Sequence, residues 1–162
     1  MPSDDRATSS VALQIRPLRP ADAPRISDIL RDSTEAAQWP PESYVKLTVS
    51  PGGVFLVCET ATQVIGFVAA RQVADEAEIL NIAVHRDFRR KGVATALLLA
   101  ALDKFRSSTI ARVFLELRES NQPACALYER LGFVLSGRRK SYYRDPTEDA
   151  LCMQKKLTAA SA

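Results

Sequence analysis

The chain has 162 residues, 46% of them hydrophobic and 25% charged, with a formal net charge of +3; this is the composition of one globular domain with a buried core, not of a disordered chain. The surplus of positive charge is too small to mark a nucleic-acid binder, and no run approaches the roughly 18 apolar residues needed to span a bilayer. Cys58, Cys125 and Cys152 are widely spaced and His85 is the single histidine, which gives neither a disulfide framework nor a zinc ligand set and fits a reducing cytoplasm.

Met1 to Ser10 is polar, rich in small residues and unlike a secretory leader, so residues 1–10 read as a flexible tail before a single domain over 11–157 and a short tail at 158–162. Val11 to Arg16 alternates as a first strand. Pro17, Pro20 and Pro24 mark a turn into a helix near Ala23 to Ser33, with Ile26, Ile29 and Leu30 on one face. Trp39-Pro40-Pro41 is no helix interior, and a second short helix follows from Glu42 to about Val49. Trp39 is either a plug over the core or one wall of an acceptor groove.

Gly52-Gly53 releases the chain into a hairpin of Val54 to Glu59 and Val64 to Gln72, in which Gly66 signals a close backbone approach or a bulge. From Glu78 an almost continuously apolar strand, covered on both faces, runs to Val84. It passes through His85-Arg86-Asp87 and Arg89-Arg90-Lys91 into a buried helix that opens at Gly92, Val93, Ala94 and Thr95 and continues through Phe105. Ala111 to Arg118 is a strand, Asn121 to Leu131 a helix capped by Asn121 and ended by Gly132, and Phe133 to Ser141 and Ala150 to Leu157 are the last strands. The order βααβββαβαββ predicts an α/β fold. Its mixed sheet has about seven mostly antiparallel strands, one parallel crossover and helices on both faces.

The chemistry concentrates in three places. A helix N-terminus offers up to four unpaired N–H groups and about half a positive charge, so Gly92 to Thr95 predicts a seat for a phosphate-bearing ligand with Arg89, Arg90 or Lys91 at its edge; the plainer alternative is a solvated basic loop. Neither a Walker loop nor a three-glycine dinucleotide fingerprint is present. Val113, Leu115 and Leu117 share one strand face, leaving Glu116 on the other between Phe114 and Arg118. Such a half-buried Glu with a raised pKa is suited to general-base work, or it is a surface residue paired with Arg118. Arg138-Arg139-Lys140 with Tyr142-Tyr143 is either a solvated strand end or a basic, aromatic surface of the sort that binds RNA.

Arg89-x-x-Gly92-x-Ala94 resembles the pyrophosphate-binding signature of the GNAT superfamily of N-acetyltransferases. Asn81-Ile82-Ala83-Val84, Leu115-Glu116-Leu117-Arg118, Ser120-Asn121, Ala126-Leu127-Tyr128-Glu129, Leu131-Gly132-Phe133, Tyr142-Tyr143 and Glu148-Asp149-Ala150 extend the likeness from about Ala77 to Leu157. They resemble the branch that acetylates the N-terminal alanine of a small-subunit ribosomal protein. The resemblance implies acetyl-coenzyme A as cosubstrate without a metal, held by Ile82, Ala83, Val84, residues 89 to 95 and Asn121. It implies Glu116 as general base and Tyr128 as general acid, although an aromatic at this spacing would by itself read as core. It also implies Trp39, Tyr142 and Tyr143 around the acceptor, and a cytoplasmic monomer or weak dimer acting on a protein N-terminus, with no membrane or direct nucleic-acid partner. A lysine or small-amine acetyltransferase of the same fold, and a non-catalytic acyl-coenzyme A sensor or RNA-associated adaptor, are the alternatives.

Overall fold

The computed structural model describes residues 11–158; the N-terminal tail and nearly all of the C-terminal tail expected from the sequence lie outside these. The elements are β1 (Gln14–Pro17), a 3-10 turn (Pro20–Asp22), α1 (Ala23–Arg31), α2 (Pro41–Thr48), β2 (Gly53–Glu59), β3 (Val64–Val73), β4 (Glu76–Val84), a second 3-10 turn (Arg86–Phe88), α3 (Val93–Arg106), β5 (Arg112–Arg118), α4 (Gln122–Arg130), β6 (Val134–Tyr143) and β7 (Glu148–Lys156). The expected order of elements is reproduced. The first strand is shorter than expected, starting at Gln14, and the last two reach further toward their shared hairpin, so Tyr142 and Tyr143 are strand residues.

One seven-stranded sheet has the order β1-β2-β3-β4-β5-β7-β6. Every neighbouring pair is antiparallel except β4 and β5, which are joined through α3. The sequence pattern does not reveal that β7 inserts between β5 and β6.

Two cores flank the sheet. On one face α3 and α4 bury Leu97, Leu98, Leu102, Phe105 and Tyr128 against Val68, Ile79, Leu115 and Met153. On the other, α1 and α2 bury Ile26, Ile29, Leu30 and Tyr44 against Phe55, Val57 and Phe67. Gly66 lets β4 and α3 approach closely: a Cβ there would lie 3.1 Å from Ala83 O, 3.2 Å from Val93 Cγ1 and 3.3 Å from Leu97 Cδ1, each tighter than ordinary contact. At the far edge, Arg16 donates to both Asp22 oxygens at 2.8 and 2.9 Å and pairs with Glu59 at 2.9 Å. Burial pushes the Asp22 carboxyl up, but the Arg16 guanidinium and the Arg19 N–H outweigh it and hold the group below the usual carboxylate range.

The centre of β4 departs from the expected alternation. Ala70 pairs with Ile79 but Ala69 pairs with Asn81, so Leu80 is an extra, bulged residue. The bulge reverses the pleat: Ala77 and Ile79 join the α3 core, whereas Ala83 joins the α1–α2 core. Pairing with β5 ends at the same level, with Ile79 opposite Leu115, while β5 stays on β7 as far as Arg118 opposite Ala150. Beyond that level the two parallel strands part, and residues 80–84 have no strand on their β5 side.

Candidate active site

The cleft between the carboxyl ends of two diverging parallel strands is where open α/β sheets place their ligands. Here α3 and α4 both start beside it, since each follows one of those strands. Ile82, Ala83 and Val84 stand on the β4 wall of this cleft, beyond the last β4–β5 pair, and Val84 O accepts from Arg89 Nε at 3.0 Å.

Below this wall the chain makes a backbone cradle. Arg90 and Gly92 both adopt left-handed conformations, at φ 59° and φ 80°, of the kind found in backbone concavities that bind anions. Ala96 N–H is the first to bond back into the helix, to Gly92 O at 3.0 Å. The N–H groups of residues 90 to 95 find no acceptor among the described residues. A Cβ built on Gly92 meets nothing within 4 Å, so open space lies over the cradle. A coenzyme pyrophosphate fits this arrangement on its donor set and its room.

The three cations at its edge are not equivalent. Lys91 Nζ sits 5.5 Å from the Phe88 ring centroid, and Arg90 is exposed without an ion-pair partner among the described residues. Arg89, in contrast, donates from Nε to Val84 O at 3.0 Å and from Nη2 to Asp32 O at 2.7 Å and Ser33 Oγ at 3.1 Å. Its guanidinium serves the protein.

On α4, Asn121 Oδ1 accepts from Ala124 N at 3.3 Å, the N-cap expected. At the other end Gly132 N bonds Glu129 O and Phe133 N bonds Tyr128 O, both at 3.0 Å. This is a Schellman closure, with Gly132 at φ 88° and Phe133 edge-on to Tyr128 at 5.7 Å. The motif fixes the Tyr128 ring in the core. Burial raises the Tyr128 hydroxyl above its ordinary value, and nearby Tyr143 adds to the effect, so the phenol stays protonated throughout the physiological range.

Glu116 lies on the opposite face of β5, half-buried, with Oε1 2.6 Å from Arg139 Nε. The expected alternative partner, Arg118, is engaged with Glu148 at 3.2 Å and stacks over Tyr143 at 4.5 Å. Tyr142 and Tyr143 meet edge-to-face at 5.1 Å. Burial, then the Glu116 charge, pushes Tyr143 up to about 12, and the Glu116 charge is the main cause of the upward shift at Tyr142. Arg138 pairs with Glu119 and Asp149. Two of the three cations of the basic cluster, Arg138 and Arg139, are therefore paired with carboxylates of the fold.

Trp39 packs on Tyr44 at 5.4 Å as a partly exposed edge of the α1–α2 core. Its loop is fastened by a tie that sequence reasoning missed. Asn81 accepts from Ala37 N at 3.1 Å and donates to Ala37 O and Tyr44 Oη, each at 2.9 Å. Only because Leu80 is bulged does Asn81 face this loop. Its signal was a lone amide in an apolar strand, a group that is buried only with partners. Tyr44, fully buried, is pushed up to about 12 by burial, partly offset by the Asn81 bond. Arg139 was likewise visible in the sequence as a cation but not as the partner of Glu116.

Among the described residues no group of three His, Cys, Asp or Glu is placed to hold a metal, and no helix is long and apolar enough to cross a membrane. The model of the acetyltransferase (GNAT) family matches residues 23–133. A Bacillus subtilis (strain 168) protein provisionally named a [ribosomal protein bS18]-alanine N-acetyltransferase is 33% identical over 140 residues, covering 86% of this chain and 92% of that one. The [ribosomal protein bS18]-alanine N-acetyltransferase of Escherichia coli (strain K12) is 43% identical over 89 residues; this match spans 54% of the chain and 60% of the length of that relative. The crystal structure of the ribosomal-protein-S18-alanine N-acetyltransferase from Escherichia coli superposes with a TM-score of 0.81 at 30% identity over 93% of this chain and 97% of that one. Ard1 from Thermoplasma volcanium does so at 0.84 and 31%, over 91% and 99%.

Proposed function

Because the chain belongs to the acetyltransferase (GNAT) family and is an acetyltransferase by that membership, we propose that it acetylates the α-amine of a protein N-terminus, alanine first, in a ribosomal protein of the cytoplasm. The observation that carries the reading is the cleft where β4 leaves β5, with N–H groups at residues 90 to 95 that lack acceptors among the described residues; Glu116, one residue past the last β4–β5 pair, and the buried Tyr128 of α4 support it. The names of the bS18-alanine relatives support the acceptor.

Acetyl-coenzyme A supplies an activated thioester. Residues 90 to 95 hold its pyrophosphate through backbone N–H groups, Asn121 borders it from α4, and the edge of residues 82–84, where Val84 O is taken by Arg89, aligns the acyl arm through Ile82 and Ala83. Glu116 takes the proton of the incoming ammonium on Oε2, because Oε1 is occupied by Arg139. The α-amine suits a modest base, since at pH 7 roughly a tenth of groups with pKa near 8 are neutral, against less than about a thousandth of lysines near 10.4. Tyr128 faces a departing sulfur whose conjugate acid lies near 8.5, at least about 1.5 units below the phenol, so full proton transfer is uphill by about 2 kcal/mol or more. Its contribution is a hydrogen bond donated as charge develops, which does not require the proton to leave completely.

Mass spectrometry of an Ala-starting basic peptide with one internal lysine, incubated with acetyl-coenzyme A and the protein, tests the reading. Acetyl is expected on the α-amine, with about a hundredfold slower turnover in Tyr128→Phe. Acetyl on the lysine alone would refute the N-terminal acceptor, and coenzyme binding without any transfer would refute turnover on peptides.

A further inference from the structure

The loop of residues 32–40 is fastened twice, from two different parts of the cleft. At its far end Asn81 pairs with the Ala37 peptide group as a strand would, donating and accepting once each. At its near end Arg89, which lies in the coenzyme loop, reaches 57 residues back in sequence to Asp32 O and 56 to Ser33 Oγ. Asp32 is the C-cap of α1, where carbonyls lack partners and the helix dipole favours a cation. Arg86 adds a 3.7 Å contact to the Asp32 carboxylate. Ser33 is itself buried and donates to Ile29 O at 2.8 Å, so the Arg89 bond ends on a fixed group. Arg89 Nε closes the triangle on Val84 O, the last residue of β4.

The guanidinium therefore joins three things that the reaction must keep in register: the end of β4, the start of the anion cradle and the loop that carries Trp39. We infer that Arg89 is a positioning residue for the acceptor wall and not a phosphate ligand, and that the placement of residues 32–40 answers to the coenzyme loop through it. This rests on the reading of residues 90 to 95 as the pyrophosphate cradle and of Trp39 as part of the acceptor side. Arg90 and Lys91, which are not committed to the fold in this way, remain the cations available to the anion.

Calorimetric titration with coenzyme A, steady-state kinetics with the Ala-starting peptide and amide hydrogen exchange over residues 32–40 test the inference in wild type, Arg89→Gln, Arg89→Lys and Gly92→Glu. In Arg89→Gln the coenzyme Kd stays within about threefold while the peptide KM rises about tenfold, the worth of one charge-assisted hydrogen bond. The amides of Ser33, Ala36 and Ala37, which bond Leu30 O, Ser33 O and Asn81 Oδ1, exchange faster. Arg89→Lys keeps the charge at the α1 terminus but not the three-way bridge, and falls between. A tenfold loss of coenzyme affinity in Arg89→Gln with unchanged peptide KM and exchange would make Arg89 a phosphate ligand and overturn the inference, as would no change in any readout. If Gly92→Glu also keeps coenzyme affinity, the cradle reading fails and the inference falls with it; lost binding in Gly92→Glu beside retained binding in Arg89→Gln supports both.

Discussion

The two sides of the cleft are made of different material. The side proposed for the coenzyme, from Arg90 to Thr95, is a backbone surface: its donors are peptide N–H groups in a turn with two left-handed residues, and a side chain would be tolerated there only where it leaves them bare. The side proposed for the acceptor is a side-chain surface, in which Asn81 and Tyr44 hold the Trp39 loop, Arg139 pairs with Glu116, and Arg118 lies over Tyr143, which meets Tyr142. A backbone site depends on a few residues having no side chain or a special φ. A side-chain site depends on long-range pairs, and each of its members can be removed singly.

The sharpest way to break the coenzyme side is to fill it. Gly92→Glu puts a side chain and a negative charge over the cradle, and coenzyme affinity is expected to fall by more than about a hundredfold, equivalent to about 3 kcal/mol. The left-handed φ costs the variant about 1–2 kcal/mol, and nothing within 4 Å is displaced, so thermal unfolding should show a folded protein. Wild-type affinity in the titration would show that the anion sits elsewhere.

The acceptor side is broken through its ties. Asn81→Leu strands the Ala37 N–H and leaves Ala37 O and the Tyr44 hydroxyl only their long mutual bond of 3.4 Å, and about 2–3 kcal/mol should be lost in denaturant unfolding, with coenzyme affinity changed less than peptide KM. A smaller effect sharpens the same comparison. Tyr44 ionises near 12 in the fold and near 10 when unfolded. Its raised value therefore contributes stability fully present below pH 10 and lost as pH rises from 10 toward 12, by at most about 2–3 kcal/mol. Tyr44→Phe should flatten that part of the stability–pH curve, and an unaltered slope would assign the alkaline loss to other groups.

The two materials also differ in how far they could be read from the chain. The cradle announces itself locally, because an apolar strand, a cationic turn, Gly92 and an aliphatic helix are contiguous, and the Schellman end of α4 is likewise visible in Leu131-Gly132-Phe133. The strand and helix order followed from the same local signals. What stayed hidden is set by register and long-range pairing. One inserted residue at Leu80 turns Asn81 from one face to the other, and no periodicity marks it. The partners of Asn81 lie 37 and 44 residues away, and Glu116 is paired across β7 to Arg139 of β6 rather than to its neighbour Arg118. The insertion of β7 beside β5, which makes that pairing possible, leaves no trace in the order of elements.

The proposed acetyl transfer depends on Glu116 acting as the base for an α-amine, and the most direct test is the rate of α-amine acetylation by Glu116→Gln at saturating coenzyme between pH 7 and pH 9. The expected loss is about a hundredfold at pH 7, shrinking as the pH passes the α-amine value near 8, because solvent then supplies the neutral nucleophile that the carboxylate otherwise provides. A loss of the same size at every pH would show that Glu116 holds the site together without taking the proton.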